Sequence, residues 1–110
     1  MKDNKDCPIT VAQKVIGGKW TILILYQLSL GTIRFGELNR LTPIMTQSTL
    51  TKELRRLESY QLITRKVYAE VPPKVEYSLT KICIELVPVL KELGQWGNKY
   101  IQYTKTNKNE

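Results

Sequence analysis

Apolar residues recur at helical spacing along most of the chain and alternate with polar residues in one short region. The helical spacing predicts a first helix that begins at Pro8 and ends at Gly17-Gly18. A second helix, apolar on most sides, covers about 19–30, and we expect it to form the centre of the core. A short third helix over about 34–41 ends before Pro43, because the residue preceding a proline is pushed out of helical geometry.

A narrow leucine seam predicts a fourth helix over about 47–60. Its three leucines are spaced four and three residues apart and fall within one arc at about 100° per residue. Thr46 is suited to cap this helix, because its hydroxyl can accept a hydrogen bond from a free amide of the first turn. The third and fourth helices together form a predicted helix-turn-helix over about 34–60. The seam residues are Leu50, Leu54 and Leu57.

Alternation replaces helical spacing after Gln61. Segments rich in β-branched and aromatic residues flank the sequence Val71-Pro72-Pro73-Lys74, which predicts a two-stranded hairpin over about 62–79. This hairpin would form the wing of a winged helix-turn-helix. The predicted fold class is mainly α with a small β-hairpin wing (α+β), in a single domain over residues 1–110.

A final helix is predicted over about 80–103, with Thr80 as its cap. Pro88 lacks an amide hydrogen, so we expect a kink or a break near Val87. The tail from Thr104 to Glu110 has a composition typical of disordered segments.

The side of the fourth helix opposite the leucine seam carries short polar and long cationic side chains. Such a face can enter the DNA major groove, where Arg and Lys reach guanine and Gln or Ser contacts other base edges. An ordinary solvated helix face has the same kinds of residues, and this helix alone does not separate the two interpretations. The candidate DNA-binding residues here are Thr46, Gln47, Ser48, Thr51, Lys52 and Arg55.

Three basic residues flank the arms of the predicted wing, namely Arg65, Lys66 and Lys74. A basic hairpin directly after a helix-turn-helix can lie along the neighbouring phosphates of the DNA backbone. Glu70 and Glu76 reduce the positive charge of this hairpin. The order of helix-turn-helix and hairpin is therefore a more specific indication of DNA binding than any single cation.

The net charge of +7 is consistent with a nucleic-acid partner, but it is spread nearly evenly along the chain, without a basic block. The sequence contains no histidine, which excludes a zinc-histidine site and a Ser-His-Asp triad. Without a cysteine pair or a glycine-rich phosphate loop, an enzyme would depend on Cys7 as a nucleophile with no evident base. We expect no catalytic residues, no metal and no cofactor.

The charged N-terminal residues Met1 to Asp6 are not followed by the apolar segment of a secretory signal. The richest apolar stretch, Ile22 to Tyr26, is far shorter than the roughly 20 residues that span a bilayer. Two cysteines far apart in sequence suit a reducing compartment. These features predict a cytoplasmic protein without a membrane partner.

Several blocks of the sequence closely resemble the HxlR-type bacterial transcriptional regulators, which are relatives of the MarR group. The resemblance extends from about Cys7 to Gly97, and its most specific blocks are Gly17-Gly18-Lys19-Trp20 and Val71 to Thr80. The other blocks are Arg34-Phe35-Gly36-Glu37-Leu38 and Leu50 to Glu58.

The resemblance implies a winged helix-turn-helix homodimer that binds palindromic operator DNA, typically as a repressor, with the helix after Thr46 in the major groove. It also implies dimerisation through the first and last helices, about 8–16 and 80–103. The sequence departs from the family at Gln61 and Cys83, where glycines are usual. A left-handed backbone would be harder for Gln61 than for glycine.

The final helix offers more apolar surface than one small domain is expected to cover, which favours a dimer interface. An ordinary core helix would also explain the part of it up to Leu90. The candidate interface residues are Ile9, Leu93, Trp96, Tyr100 and Tyr103.

Cys7 immediately precedes Pro8 and therefore lies near a helix N-terminus, where the helix dipole favours a reactive thiolate. Several HxlR-type regulators sense quinones, aldehydes or oxidants through a cysteine in this position, so the resemblance implies a small electrophile or oxidant as effector. Cys7 could instead be a small buried residue that seals the helix start. We expect Cys83 to act as a small hydrophobic residue.

A second hypothesis remains at the level of the sequence. The same winged-helix surface could hold a partner protein without sequence-specific DNA binding. Salt dependence separates the two hypotheses, because phosphate contacts make binding fall steeply between about 50 and 200 mM salt.

Overall fold

The computed structural model describes residues 7–108, so the charged residues Met1 to Asp6 and the last two residues of the predicted tail lie outside the described residues. The helices are α1 (Pro8–Ile16), α2 (Thr21–Leu28), α3 (Phe35–Leu41), α4 (Gln47–Ser59), α5 (Lys81–Ile84) and α6 (Val87–Lys108). The strands are β1 (Ile33–Arg34), β2 (Ile63–Tyr68) and β3 (Lys74–Leu79). This order confirms the predicted winged-helix fold, mainly helical with a small sheet.

The sheet has three antiparallel strands in the order β1-β3-β2, one strand more than predicted. Strand β1 pairs with β3 through Ile33 opposite Tyr77 and Arg34 opposite Glu76. The predicted two-stranded hairpin is confirmed as β2 and β3, and the sequence did not indicate β1 because a two-residue strand has no alternation of its own. Its partner strand is also more than 40 residues away along the chain. β1 ties the start of α3 to the wing.

The core is centred on α2, as the all-round apolar character of this helix predicted. Ile24 and Leu25 of α2 are completely buried, and the three seam leucines of α4 pack into the same cluster. Tyr77 of β3 and Cys83 of α5 belong to the same cluster, so one core joins the helix-turn-helix, the wing and α5. The buried seam leaves the opposite side of α4 facing outward.

The predicted break near Val87 is confirmed, since α5 ends at Ile84 and α6 begins at Val87. Thr80 caps α5, and its side-chain oxygen accepts a hydrogen bond from the amide of Cys83 at 3.4 Å. The expectation of disorder from Thr104 onward was wrong as far as Lys108, because α6 continues to that residue. Helix propagation adds one hydrogen bond per residue, and no Gly or Pro follows Gly97 to end it.

Gln61 occupies the left-handed position that glycine would take at the end of α4, with a φ of 62°. The amide of Gln61 donates to the carbonyl of Glu58 at 2.9 Å, and the amide of Leu62 donates to the carbonyl of Leu57 at 3.0 Å. These two hydrogen bonds form a Schellman motif, which sends the chain from α4 into the wing.

Within residues 7–108, no helix combines the length and the apolar character needed to cross a membrane.

Candidate nucleic-acid interface

Helix α4 begins at a well-formed N-cap. The Thr46 hydroxyl accepts a hydrogen bond from the amide of Thr49 at 3.1 Å and donates one to the Thr49 hydroxyl at 2.9 Å. This hydroxyl therefore has two partners within the protein before any DNA base is considered. The cap fixes the first turn of α4, which contains Gln47 and Ser48.

The outward side of α4 has a short polar end followed by cationic side chains. Gln47, Ser48, Lys52 and Arg55 are exposed. Thr51 is half-buried, and its hydroxyl donates to the backbone carbonyl of Gln47 at 2.9 Å. Lys52 and Arg55 thus have long, freely presented side chains, whereas the hydroxyl of Thr51 is held against its own helix.

A groove of about 880 Å³ separates α4 from the wing. Gln47, Thr51 and Arg55 form its α4 side, and Arg65 and Lys74 are among the residues of its wing side. The structure thus brings most of the predicted helix and wing residues to one concave surface. Ser48 and Lys52 lie beside this groove on the outer surface of α4.

Arg34 is a further basic residue of this groove that the sequence analysis missed. It is exposed, belongs to β1 and precedes the first residue of α3. The available signal was a cation at the start of the first helix of the helix-turn-helix. Its position beside the wing depends on the β1–β3 pairing, which the sequence pattern did not indicate.

The three wing cations differ in how freely they are presented. Arg65 extends toward α4, where its Nε lies 3.6 Å from Oε1 of Glu58, and Lys66 is exposed. The Lys74 side chain is only 21% exposed, with its Nζ 3.5 Å from Oε2 of Glu76. Its Nζ also lies 4.3 Å from the ring centre of Tyr68. Lys66 Nζ lies 4.9 Å from the centre of the same ring, so Lys74 differs from Lys66 in its ion pair with Glu76 and in its lower exposure.

Tyr77 lies at the base of the wing, close to the charged groups of the groove. Burial raises the pKa of its hydroxyl above 10.0, the usual value, and the carboxylate of Glu58 raises this pKa further. The positive charges of Arg65 and Arg55 act in the opposite direction. The Tyr77 side chain is therefore neutral at physiological pH and joins the wing to the core without adding charge.

The two cysteines have opposite environments. Cys7 is exposed and occupies the N-cap position of α1, with Pro8 as the first residue of the helix. This exposure argues against the alternative that Cys7 is a buried seal. Cys83 is 1% exposed within the core, and burial raises the pKa of its thiol, which agrees with its expected role as a small hydrophobic residue.

Helix α6 presents a row of exposed aromatic side chains. The rings of Trp96 and Tyr100 stack with their centres 5.4 Å apart, and the ring of Tyr103 follows at 6.4 Å from Tyr100. Leu90 is buried in the core, and over residues 91–107 no side chain of α6 is buried. All five candidate interface residues are exposed: Ile9 by 73%, Leu93 by 44%, Trp96 by 60%, Tyr100 by 53% and Tyr103 by 64%.

Comparison with known proteins places these features in a wider group. The family model for HxlR-like helix-turn-helix proteins matches residues 15–105. An HTH-type transcriptional regulator of Methanothermobacter thermautotrophicus is 50% identical over 94 residues, which cover 86% of this chain and 72% of the relative.

Solved structures agree with this similarity. A protein of Porphyromonas gingivalis W83, described as a transcriptional regulator of the MarR family, superposes with a TM-score of 0.80 at 40% identity. That match covers 84% of this chain and 90% of the other. The redox regulator HypR in its reduced form superposes with a TM-score of 0.85 at 39% identity, covering 91% of this chain and 99% of the other.

Proposed function

The chain belongs to the HxlR-like helix-turn-helix family of transcriptional regulators, and from this membership we propose that it binds palindromic operator DNA as a homodimer and represses transcription. The family consists of DNA-binding regulators and not of enzymes. A dimer that covers two half-sites within a promoter would exclude RNA polymerase from it.

The observation that carries this proposal is the exposed side of α4 beside the wing groove. A helix fits into the major groove of DNA, which is about 12 Å wide. Lys52 and Arg55 would reach base edges or phosphates there, and Arg65 and Lys66 would contact the adjacent backbone. Arg34, on the same surface, would add a further phosphate contact.

Alanine substitutions on α4 test this placement. Lys52→Ala and Arg55→Ala should each weaken operator binding about 5- to 150-fold, since one good base contact is worth about 1–3 kcal/mol. Lys81→Ala, which removes an exposed cation from α5, is the matched control and should change affinity little. Binding can be measured by fluorescence anisotropy with DNA from upstream of the gene.

Salt titration of the same complexes distinguishes DNA binding from a protein-interaction role. Wild-type affinity should fall steeply between about 50 and 200 mM salt because phosphate contacts release counterions. If both α4 variants bind like Lys81→Ala, the recognition surface lies elsewhere. If no DNA binding with this salt dependence is found, the protein-interaction hypothesis replaces the proposal.

We further propose that Cys7 senses an oxidant or electrophile. Its thiol is exposed at the start of α1, whereas the Cys83 thiol is buried with a raised pKa. A quinone would add to Cys7 Sγ as a thioether, with the thiol proton passing to the quinone, which becomes a substituted hydroquinone. A hydroperoxide would transfer one oxygen to the thiol to give a sulfenic acid, with water or an alcohol as the leaving group. The similarity to a protein named as a redox regulator supports this role.

The test of sensing compares wild type with two cysteine variants. After treatment with benzoquinone, wild type and Cys83→Ser should lose operator affinity, and Cys7→Ser should retain it. Mass spectrometry of the treated proteins identifies the modified cysteine. Equal loss of binding in wild type and Cys7→Ser would remove Cys7 from the mechanism.

A further inference from the structure

A cluster of polar groups joins the end of α1 to the side of α4 that faces away from the wing groove. Arg56 Nη2 donates hydrogen bonds to the backbone carbonyls of Lys14 at 3.1 Å and Val15 at 3.0 Å. These two carbonyls belong to the last turn of α1, where helix carbonyls have no partner within the helix. Arg56 therefore caps α1 from a different helix.

The second terminal nitrogen of the same guanidinium, Nη1, contacts the two cluster residues that lie nearer the core. Arg56 Nη1 lies 3.0 Å from Oε1 of Glu53 and 3.2 Å from the hydroxyl oxygen of Thr21. Thr21 is fully buried, and its hydroxyl donates to the same Glu53 oxygen at 2.8 Å. A lysine could not make these contacts, because they need the several donors of a planar guanidinium.

The turn between α1 and α2 leaves space for this cluster. A Cβ atom on Gly18 would lie 2.5 Å from the Thr21 hydroxyl oxygen, 3.4 Å from Glu53 Oε1 and 3.7 Å from Arg56 Nη1. A contact of 2.5 Å with a side chain that is itself fully buried requires the cluster to move. Gly18 is therefore a second, independent position from which the cluster can be disturbed.

Helix α1 has few buried contacts of its own. Within the described chain, no side chain of α1 is fully buried, and Val11, Val15 and Ile16 are half-buried. α1 thus lies on the domain surface, where a small apolar contact and the hydrogen bonds from Arg56 hold it in place. The Arg56 side chain is itself 30% exposed and also lies against the ring of Tyr60, 5.1 Å from its centre.

We propose that Arg56 is a positioning residue that holds the end of α1 against α4 through its hydrogen bonds to the carbonyls of Lys14 and Val15, which we call the lock. A displacement of α1 would therefore also displace the DNA-binding helix α4. Arg55, one residue earlier, faces the groove, so one helix carries the DNA surface on one side and the lock on the other. The lock itself is independent of Cys7. The further step, in which modification of Cys7 acts on DNA binding through the lock, rests on the proposed sensing function.

Hydrogen–deuterium exchange of the full-length protein tests the lock. Arg56→Lys retains the charge, and Gly18→Ala retains the arginine but displaces its neighbours. Both should speed exchange of the α1 amides over residues 12–17 at least tenfold, with exchange over residues 25–28 of α2, beyond its first turn, unchanged. Arg40→Lys is the matched control, because Arg40 also pairs with a glutamate three residues earlier but is exposed on α3. It should leave α1 unchanged.

Three results would overturn the proposal. Unchanged exchange in α1 would show that Arg56 does not hold this helix. Faster exchange spread equally over α1 and α2 would show a general role in stability. A reduction of the salt dependence of DNA binding by about one phosphate contact in Arg56→Gln, which removes the charge, would show that Arg56 contacts DNA instead.

Modification of Cys7 tests the coupling separately. If quinone treatment weakens operator binding of wild type at least tenfold, Arg56→Lys and Gly18→Ala should reduce that effect to less than threefold, while Arg40→Lys retains it. Full quinone sensitivity in Arg56→Lys would overturn the coupling. If wild type itself is insensitive, the sensing function fails and the coupling with it, whereas the exchange experiment still decides on the lock.

Discussion

At the scale of single residues, Gln61 has the most constrained backbone of the junction between α4 and the wing. Among the described non-glycine residues, it alone has a positive φ. A left-handed conformation costs an ordinary L-residue about 1–2 kcal/mol, whereas glycine adopts it freely. The position is maintained because the two Schellman hydrogen bonds and the burial of Leu62 and Ile63 hold the chain on both sides.

Gln61→Gly should therefore stabilise the protein by about 0.5–1 kcal/mol. The substitution relieves the backbone strain, but glycine loses more conformational entropy on folding, which offsets part of that gain. Gln95→Gly, at an exposed position within α6, should instead destabilise it by about 1 kcal/mol. Urea unfolding at one fixed protein concentration measures both changes. A loss of stability in Gln61→Gly would contradict the strain at this position.

The spacing of residues along α4 was sufficient to predict that Arg55 faces outward, but it did not indicate which groups Arg56 contacts. About 100° per residue places Arg55 opposite the leucine seam, and the structure shows it exposed beside the groove. Apart from Glu53, which is three residues earlier, the hydrogen-bond partners of Arg56 lie 35 to 42 residues earlier, so no local pattern indicates them. The same holds for Arg34, whose position depends on a long-range strand pairing.

At the scale of elements, α4 is defined by its cap and by its buried seam. Its three leucines are 0%, 1% and 0% exposed, so the seam fixes the rotation of the helix about its axis. The Thr46 cap fixes where the helix begins and satisfies an amide that has no partner within the helix. Together they determine which side chains of α4 face outward.

Thr46→Ala should lower the free energy of unfolding by about 1 kcal/mol, as expected for the loss of a threonine N-cap. Thr46→Ser, which keeps the hydroxyl, should lose less than about half of that. Thr104→Ala serves as the control, because the Thr104 hydroxyl donates a hydrogen bond to the backbone carbonyl of Ile101 in an exposed part of α6 and caps no helix. Thermal and urea unfolding measure the three variants, and a Thr46→Ala protein as stable as wild type would show that the cap contributes nothing.

Elements with a long repeating pattern were predictable, and those without one were not. The seam and the threonine caps marked α4 and α5, and Pro88 marked the break before α6. Strand β1 has two residues and no pattern, and it forms because β3 offers it a partner. The last turns of α6 have a polar composition but continue a helix that already exists, so their composition alone was misleading.

At the scale of the whole molecule, the arginines of the groove and the exposed aromatic row lie on different elements. The net charge of +7 is distributed along the sequence, but the fold gathers Arg34, Arg55 and Arg65 around one groove. The exposed aromatic row lies on α6, beyond the buried Leu90. This division suits a protein that would use one surface for DNA and another for a second copy of itself, with two DNA-binding surfaces in each dimer. Glu37, Glu58 and Glu70 also line the groove, so the positive charge of its arginines is partly offset.

The proposed dimer makes a prediction that joins both surfaces. Trp96→Ala combined with Tyr100→Ala should raise the dissociation constant of the dimer at least tenfold in sedimentation equilibrium, because two large apolar side chains lose their partner surface. At concentrations where this variant is monomeric, the slope of log affinity against log salt should fall to about half the wild-type value, since one protomer displaces half the counterions. Leu30→Ala, which removes an apolar side chain that is more exposed than either and lies far from α6 in sequence, should alter neither quantity. A double variant that stays dimeric, or a monomer that retains the full salt slope, would show that α6 does not join the two DNA-binding surfaces.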